Sequence, residues 1–425
     1  MNEPLRPLRR AIGVALLWSS AGCAAKAEPA PPAVCSAQQG SSAAVQSLAA
    51  DDATFALAFY PPAVAAAGSS GNVIVSPYSV SATMTIVDVG AAGQTESQIE
   101  GVLHLPGDGA AVAPAYAALA CGMEGDGSSN GNELLVANSL WAQQGFSVEP
   151  TFESTLESGY SAPLQLVDFG NPAGAVGSIN GWVSGKTQGE IPTLLQPSDV
   201  SSATRLVLVN AVYFKGAWAS AFDASQTAPQ PFTLSDGSQV PVPTMTGTIN
   251  LRYGSAGTME IAELAYKGGA LAMDVLLPSA APGALPSFEA TLTPTVLSGA
   301  LTSLGAVRSA QLYLPRFSFR TSLELVPVLS AMGMTDLFEP KAANLSGIDG
   351  KTDLYVSAVV HQALVEVDEQ GTVAAAATAA VVSLTACTCP NEPLVIRIDQ
   401  PFVFLIRDTK SGAILFMGHV TDPRD

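Results

Sequence analysis

Residues able to do chemistry are few in this chain. Among 425 residues there are three histidines, His104, His361 and His419, and five cysteines. A serine, a histidine and an acid can be found in any chain of this length, so Ser76 together with His361 is no argument for hydrolysis. Gly127-Ser128-Ser129-Asn130-Gly131 spells G-x-S-x-G, but it precedes a strand-like run instead of following one and so is no nucleophile elbow. Ser184-Gly185-Lys186-Thr187 copies the end of a phosphate-binding loop, but Asn180 stands where that motif needs glycine. The stretch also reads as a helix end, not as a loop leaving a strand. Cys387 and Cys389 are spaced like a metal pair, yet no histidine or second close cysteine pair accompanies them. No catalytic set, metal or other cofactor is expected.

His361 has a structural reading instead. It lies in "VSAVVHQALVEVD", an alternating strand, where a buried neutral imidazole needs hydrogen-bond partners. Ser76, Ser79 and Asn210 are polar residues set in apolar runs and can supply them.

The elements around these residues follow from periodicity. "ADDATFALAFY" reads as a helix start with Asp51 or Asp52 near the cap, and Pro61-Pro62 should stop it. "NVIVSPYSVSATMTIVDVGA" passes from a short buried strand through Ser76-Pro77 into an apolar helix. "NGNELLVANSLWAQQG" alternates like a strand, and "GAVGSINGWVSGKTQGEIPTLL" is helical up to Gly189. "RLVLVNAVYFKGAWA" is too continuously apolar for an exposed edge. The last third alternates repeatedly, as in "LAMDVLLP", "AQLYLPRFSF" and "VIRIDQPFVFLIRD", with a hairpin turn at Ser411-Gly412. Helices early, strands late and no regular βαβ alternation argue for an α+β fold with large, mostly antiparallel sheets.

Composition narrows the partners. Hydrophobic residues make up 48% and charged residues only 13%, with a formal charge of −18. Nothing supplies a basic stripe, so nucleic acid and other polyanions are excluded as expected partners. The N-terminus "MNEPLRPLRR" is basic, "AIGVALLW" is apolar and "SSAGC" is small, which describes an export signal over residues 1–22. The small residues before Cys23 resemble a bacterial lipobox, which implies lipid attachment at Cys23; an ordinary secretory signal is the alternative. Residues 23–45 are rich in Ala, Pro, Ser and Gln and read as a tether, leaving 46–425 as one domain. Export permits disulfides among Cys35, Cys121, Cys387 and Cys389, and the sequence leaves the pairing open.

These motifs, taken in order, resemble the serpin family along almost the whole mature chain. "NVIVSPYSVS", "INGWVSGKTQGEIPTLL", "LVNAVYFKGAWASAFDASQTAPQPF" with Trp218, "LPRFSF", "LYVSAVVHQALVEVDEQGT" and "QPFVFLIRDTKSGAILFMGHVTDP" carry the resemblance. It implies three β-sheets, eight or nine helices, an exposed reactive-centre loop, a metastable monomer and protease inhibition. Some members are non-inhibitory binding or chaperone-like proteins, and the loop hinge discriminates between the two. From Gln370 to Asn391 there are twenty-two consecutive uncharged residues. If Glu369 and Gly371 open the hinge and Thr372 leads the inserted strand, Thr372, Ala374, Ala376, Thr378, Ala380 and Val382 point inward. The intervening Ala375 and Ala377 point outward, and no proline lies between Thr372 and Ala386. A charge at the lead position would be buried unpaired at several kcal/mol.

The resemblance places the reactive bond at Thr385–Ala386, with Leu384–Thr385 as the alternative. Such small or medium residues suit elastase-like, chymotrypsin-like or subtilisin-like serine proteases, with a cysteine protease as a further candidate. Thr372 to Thr385 is fourteen residues, about 46 Å as a strand at roughly 3.3 Å each.

Overall fold

Helix formation begins earlier than the acid-rich stretch suggests. In the computed structural model, which describes residues 42–68, 71–130, 132–160, 162, 164–279, 282–372 and 394–425 (backbone alone at 124–130 and 282), the first helix α1 is Ala43–Ala67. Its N-cap is Ser42, whose hydroxyl accepts the Val45 amide at 3.3 Å. Residues 43–45, expected in the tether, belong instead to the first turn of this helix, and Val45 is already buried. Asp52 is a mid-helix residue and buried, not a cap. Nor do Pro61 and Pro62 stop the helix. They remove helical hydrogen bonds, but Phe59, Tyr60 and Ala63 around them are buried in the core, and that packing outweighs the local cost.

β1 (Val73–Val75) leads into α2 (Pro77–Asp88), where Ser76 caps and Pro77 occupies a position that needs no amide. Next come α3 (Gln94–Leu103), α4 (Gly109–Asn130), β2 (Glu133–Gln143), α5 (Pro150–Gly159), β3 (Leu164–Val167) and α6 (Pro172–Lys186). The long apolar run forms β4 (Leu206–Ala217), followed by β5 (Ala228–Thr233), β6 (Gln239–Ala256), β7 (Met259–Ala265) and β8 (Leu271–Pro278). The chain continues through α7 (Leu285–Glu289), α8 (Pro294–Ser303), β9 (Arg308–Pro315), β10 (Phe317–Glu324), α9 (Val326–Met332) and α10 (Ser346–Asp349). It closes with β11 (Val356–Val367), β12 (Gly371–Thr372), β13 (Leu394–Arg397), β14 (Phe402–Asp408) and β15 (Ile414–Val420).

Ten α-helices thus lie among the described residues, against eight or nine expected; α7 and α10 are only five and four residues long. The three expected sheets are joined into two hydrogen-bonded systems. One has the order β10-β11-β12-β4-β2-β3, the other β1-β15-β14-β8-β7-β6-β9-β13 with β5 on β6. The joining strand is β6: residues 239–251 pair with β5 and β9, and 252–256 pair with β7.

β4 explains its own composition. Val207, Val209 and Ala211 pack with Ile179 and Val183 of α6, while Leu206, Leu208, Val212 and Phe214 enter the cores on the other face. Covered on both sides, it cannot alternate apolar with polar. Asn210 falls in register with the second set and so is carried into the interior beneath α2.

Candidate functional site

The stretch that follows β11 folds back on itself and enters the six-stranded sheet. At the turn, Asp368 Oδ1 accepts the amides of Gln370 at 2.8 Å and Gly371 at 3.1 Å. Gly371 (φ +155°) has no room for a side chain, since a Cβ there would lie 1.9 Å from the Gly216 carbonyl oxygen. Thr372 then stands between Gly216 of β4 and Val367 of β11, antiparallel to both. Its side chain is wholly buried, with Oγ1 2.6 Å from the Tyr266 hydroxyl. Burial raises the Tyr266 phenol well above its usual range, so the hydroxyl keeps its proton.

Trp218 holds the turn from one side. Its ring stacks on Tyr266 at 4.7 Å, its indole N–H donates to the Asp368 carbonyl at 2.9 Å, and its amide donates to Gln370. Glu369 Oε1 accepts the Thr227 hydroxyl at 2.6 Å and lies 3.7 Å from Arg316. The Phe222 amide donates to the Glu369 carbonyl.

Below Thr372 the seam is closed. β4 and β11 pair directly and in parallel from Leu206/Val356 to Tyr213/Leu364. At its middle, Asn210 and His361 are register partners. His361 Nδ1 donates to Asn210 Oδ1 at 2.5 Å, while Nε2 accepts the Ser76 amide at 3.2 Å, which fixes a neutral tautomer. Burial pushes the imidazole down to about 3. Asn210 Nδ2 donates to Ser79 Oγ at 2.8 Å and Thr83 Oγ1 at 2.9 Å, and lies 3.2 Å from Asn138 Oδ1. The Ser76 hydroxyl turns away and donates to the Leu415 carbonyl at 2.6 Å, so only its amide meets His361.

Residues 50–423 match the family model described as Serpin (serine protease inhibitor). The chain belongs to the serpin family. It is similar to an uncharacterized serpin-like protein of Thermococcus kodakarensis, 35% identical with 84% of this chain and 82% of that one covered. It is also similar to the leukocyte elastase inhibitor of Bos taurus, 36% identical with 83% and 94% covered. Among solved structures, an Arabidopsis serpin in its native stressed conformation superposes with a TM-score of 0.79, 29% identity and coverage of 90% of this chain and 99% of that one. This family supports protease inhibition in general.

The serpin fold brings Ser76, Ser79, Asn210 and His361 together at the seam, and Trp218, Glu369, Gly371 and Thr372 together at the hinge. Ala374, Ala375, Ala376, Ala377, Leu384, Thr385 and Ala386 lie outside the described residues, as does Cys23. Cys121, half-buried on α4, is disulfide-bonded, and Cys35, Cys387 and Cys389 also lie outside the described residues. His104 and His419 belong elsewhere. His104 caps α3 in a left-handed conformation, and His419 is enclosed by Glu289 at 2.6 Å, Tyr60 at 3.0 Å and the Gly71 carbonyl at 2.8 Å. Thr187 ends α6, its hydroxyl donating to the Val183 carbonyl, which bears out the helix-end reading of the phosphate-loop mimic.

Sequence reasoning missed Asn138, Thr83, Tyr266, Thr227 and Arg316. Asn138 carried the same signal as Asn210, a polar residue inside "ELLVANSLWAQ". Thr83 lies one helical turn from Ser79. Tyr266, Thr227 and Arg316 carried no local signal.

Proposed function

We propose that this serpin inhibits serine proteases as a suicide substrate. The observation that carries the reading is β12: Gly371 and Thr372 are already paired with β4, Thr372 is paired with β11 as well, and its side chain is small, uncharged and buried. In the reaction, the protease serine oxygen attacks the Thr385 carbonyl carbon. The Thr385–Ala386 bond breaks, the Ala386 amine leaves with a proton, and an ester joins Thr385 to the protease; Leu384–Thr385 is the alternative bond.

The freed loop then continues β12 down the seam, antiparallel to both neighbours. Residues 374–377, all alanine, follow Thr372 and Val373 into it. Parting β4 from β11 replaces one parallel ladder by two antiparallel ones, and this supplies the drive. The His361–Asn210 hydrogen bond crosses the path and must open, so it holds the seam shut until cleavage. A strand of about 46 Å carries the ester-linked protease far from its docking site, where its active site is distorted and deacylation fails.

The residues at the bond favour elastase-like, chymotrypsin-like or subtilisin-like targets, with a cysteine protease as a further candidate. The N-terminal pattern supports export, with acylation at Cys23 placing the inhibitor at the cell envelope; an ordinary secretory signal would release it. Mixing the purified mature protein with an elastase and a subtilisin is the test. A covalent complex that survives denaturing electrophoresis is expected, and Thr372→Arg should abolish it while cleavage continues. Clean cleavage of the parent without complex at every enzyme ratio would leave a binding or chaperone-like serpin instead.

A further inference from the structure

All twelve residues of α2 are buried, and the side turned away from the seam is polar as well. Asp52 reaches this side from α1. Its Oδ1 accepts the Ser81 hydroxyl at 2.7 Å and the Tyr116 hydroxyl of α4 at 2.9 Å, while its Oδ2 is buried without a hydrogen-bond partner. Two turns beyond Ser81, Asp88 Oδ2 accepts the amide of Gly109, the first residue of α4, at 2.8 Å. Asp88 Oδ1 is likewise buried and unpartnered. The Tyr160 hydroxyl, just past α5, donates to the Gly109 carbonyl at 2.6 Å. A Cβ at Gly109 would lie 2.5 Å from the Thr85 carbonyl oxygen, so α4 is seated hard against α2 at this point.

The charged groups that bear on the two carboxyls are all acidic. Asp51 of α1 acts on Asp52; Glu96 and Glu100 of α3 and Asp108 before α4 act on Asp88. The phenols of Tyr116 and Tyr160, themselves raised by burial, complete the surroundings, and His104 acts only on Asp51. Among the described residues no cation compensates either acid. A buried carboxylate under these conditions is costly, whereas a protonated carboxyl keeps the same acceptor contacts and carries no charge. Burial accordingly pushes both Asp52 and Asp88 up to about 7.

We propose that Asp52 and Asp88 form a proton-controlled latch that seats α4 against α1 and α2. While both carboxyls hold their protons, the Ser81, Tyr116 and Gly109 contacts join neutral groups. When the protons pass to water, two uncompensated charges remain under α4, and its first turns lift away. The first turns of α4 are able to respond: the helix contains Pro114, lacks any Lys or Arg, and is held otherwise by Val112, Leu119 and Met123 and, farther along, by the disulfide at Cys121. Local opening of such a helix costs less than global unfolding.

Hydrogen exchange tests this, with protection corrected for the intrinsic exchange rate. Protection over residues 109–119 should fall at least tenfold, roughly, between about pH 6 and about pH 8.5, while β14 and β15 keep theirs. The Asp52→Asn/Asp88→Asn double variant, which mimics the protonated groups, should hold constant protection across that range. No fall in the parent, or an equal fall in the double variant, would overturn the latch. Should the double variant fail to fold, difference infrared spectra of the parent decide. Protonated-carboxyl bands that vanish as the pH rises support the proposal, and their absence at the lower pH overturns it.

Discussion

The two sides of α2 are both buried and both polar, yet they are wired in different ways. Toward the seam, Ser79 and Thr83 meet Asn210, Ser79 also meets Asn138, and Asn210 in turn meets His361; the network contains no group that is charged at neutral pH. Toward α1 and α4, Ser81, Thr85 and Asp88 meet Asp52, Tyr116 and Gly109, and two acids each keep an oxygen unpartnered. Their pH responses therefore have opposite sign. His361 is lowered to about 3, against roughly 6.5 unfolded. Its contribution is full above that unfolded value and is lost as pH falls. Asp52 and Asp88 are raised to about 7, against roughly 3.9 unfolded. Their contribution is full below the unfolded value and is lost as pH rises through the folded one. A neutral network suits a seam that must stay shut until cleavage, and an acid-bearing one suits an element whose seating varies.

Breaking the seam side should have the largest effect. Asn210→Ala strands the His361 N–H and removes the donor to Ser79 and Thr83, at about 3 kcal/mol; urea unfolding measures it, and a loss below about 1 kcal/mol would mean the seam does not depend on this residue. The opposing pH responses come next. Between about pH 7 and about pH 5 the His361 contribution should fall by about 2 kcal/mol, and this part of the pH dependence should be missing in His361→Gln. If parent and variant lose stability in parallel, the imidazole is not held neutral. The smallest expected effect is Tyr116→Phe, about 1 kcal/mol for one hydrogen bond to Asp52, and that loss should shrink as pH falls through about 7 and Asp52 takes up its proton in the folded protein.

The seam and hinge were largely legible because they are built from polar residues set in apolar runs and from an uncharged stretch. Asn210, His361, Ser76 and Ser79 each broke a hydrophobic pattern, and a buried polar residue demands a partner. The far side of α2 was not legible. Ser79, Ser81, Thr83 and Thr85 alternate like a strand, but on a helix residues two apart face opposite ways, so the alternation marks two lines of polar contacts. Asp51 or Asp52 reads as lying near a cap because acids favour helix starts. Only the earlier cap at Ser42 moves it into the helix interior. Pro61 and Pro62 misled for a related reason, since local propensity is silent about the core that holds α1 together.

By itself, the sequence determined the order of motifs, the buried character of β4 and the uncharged, proline-free passage from Thr372 to Ala386. Those properties are written in residue type and period. How far the hinge enters, with Thr372 seated against Tyr266, was decided by tertiary structure alone. So was the division of α2 into a neutral face and an acidic one. The reason is distance along the chain: Tyr266 is 106 residues from Thr372, His361 is 151 from Asn210, and Tyr116 is 64 from Asp52. No local pattern encodes which of them will meet.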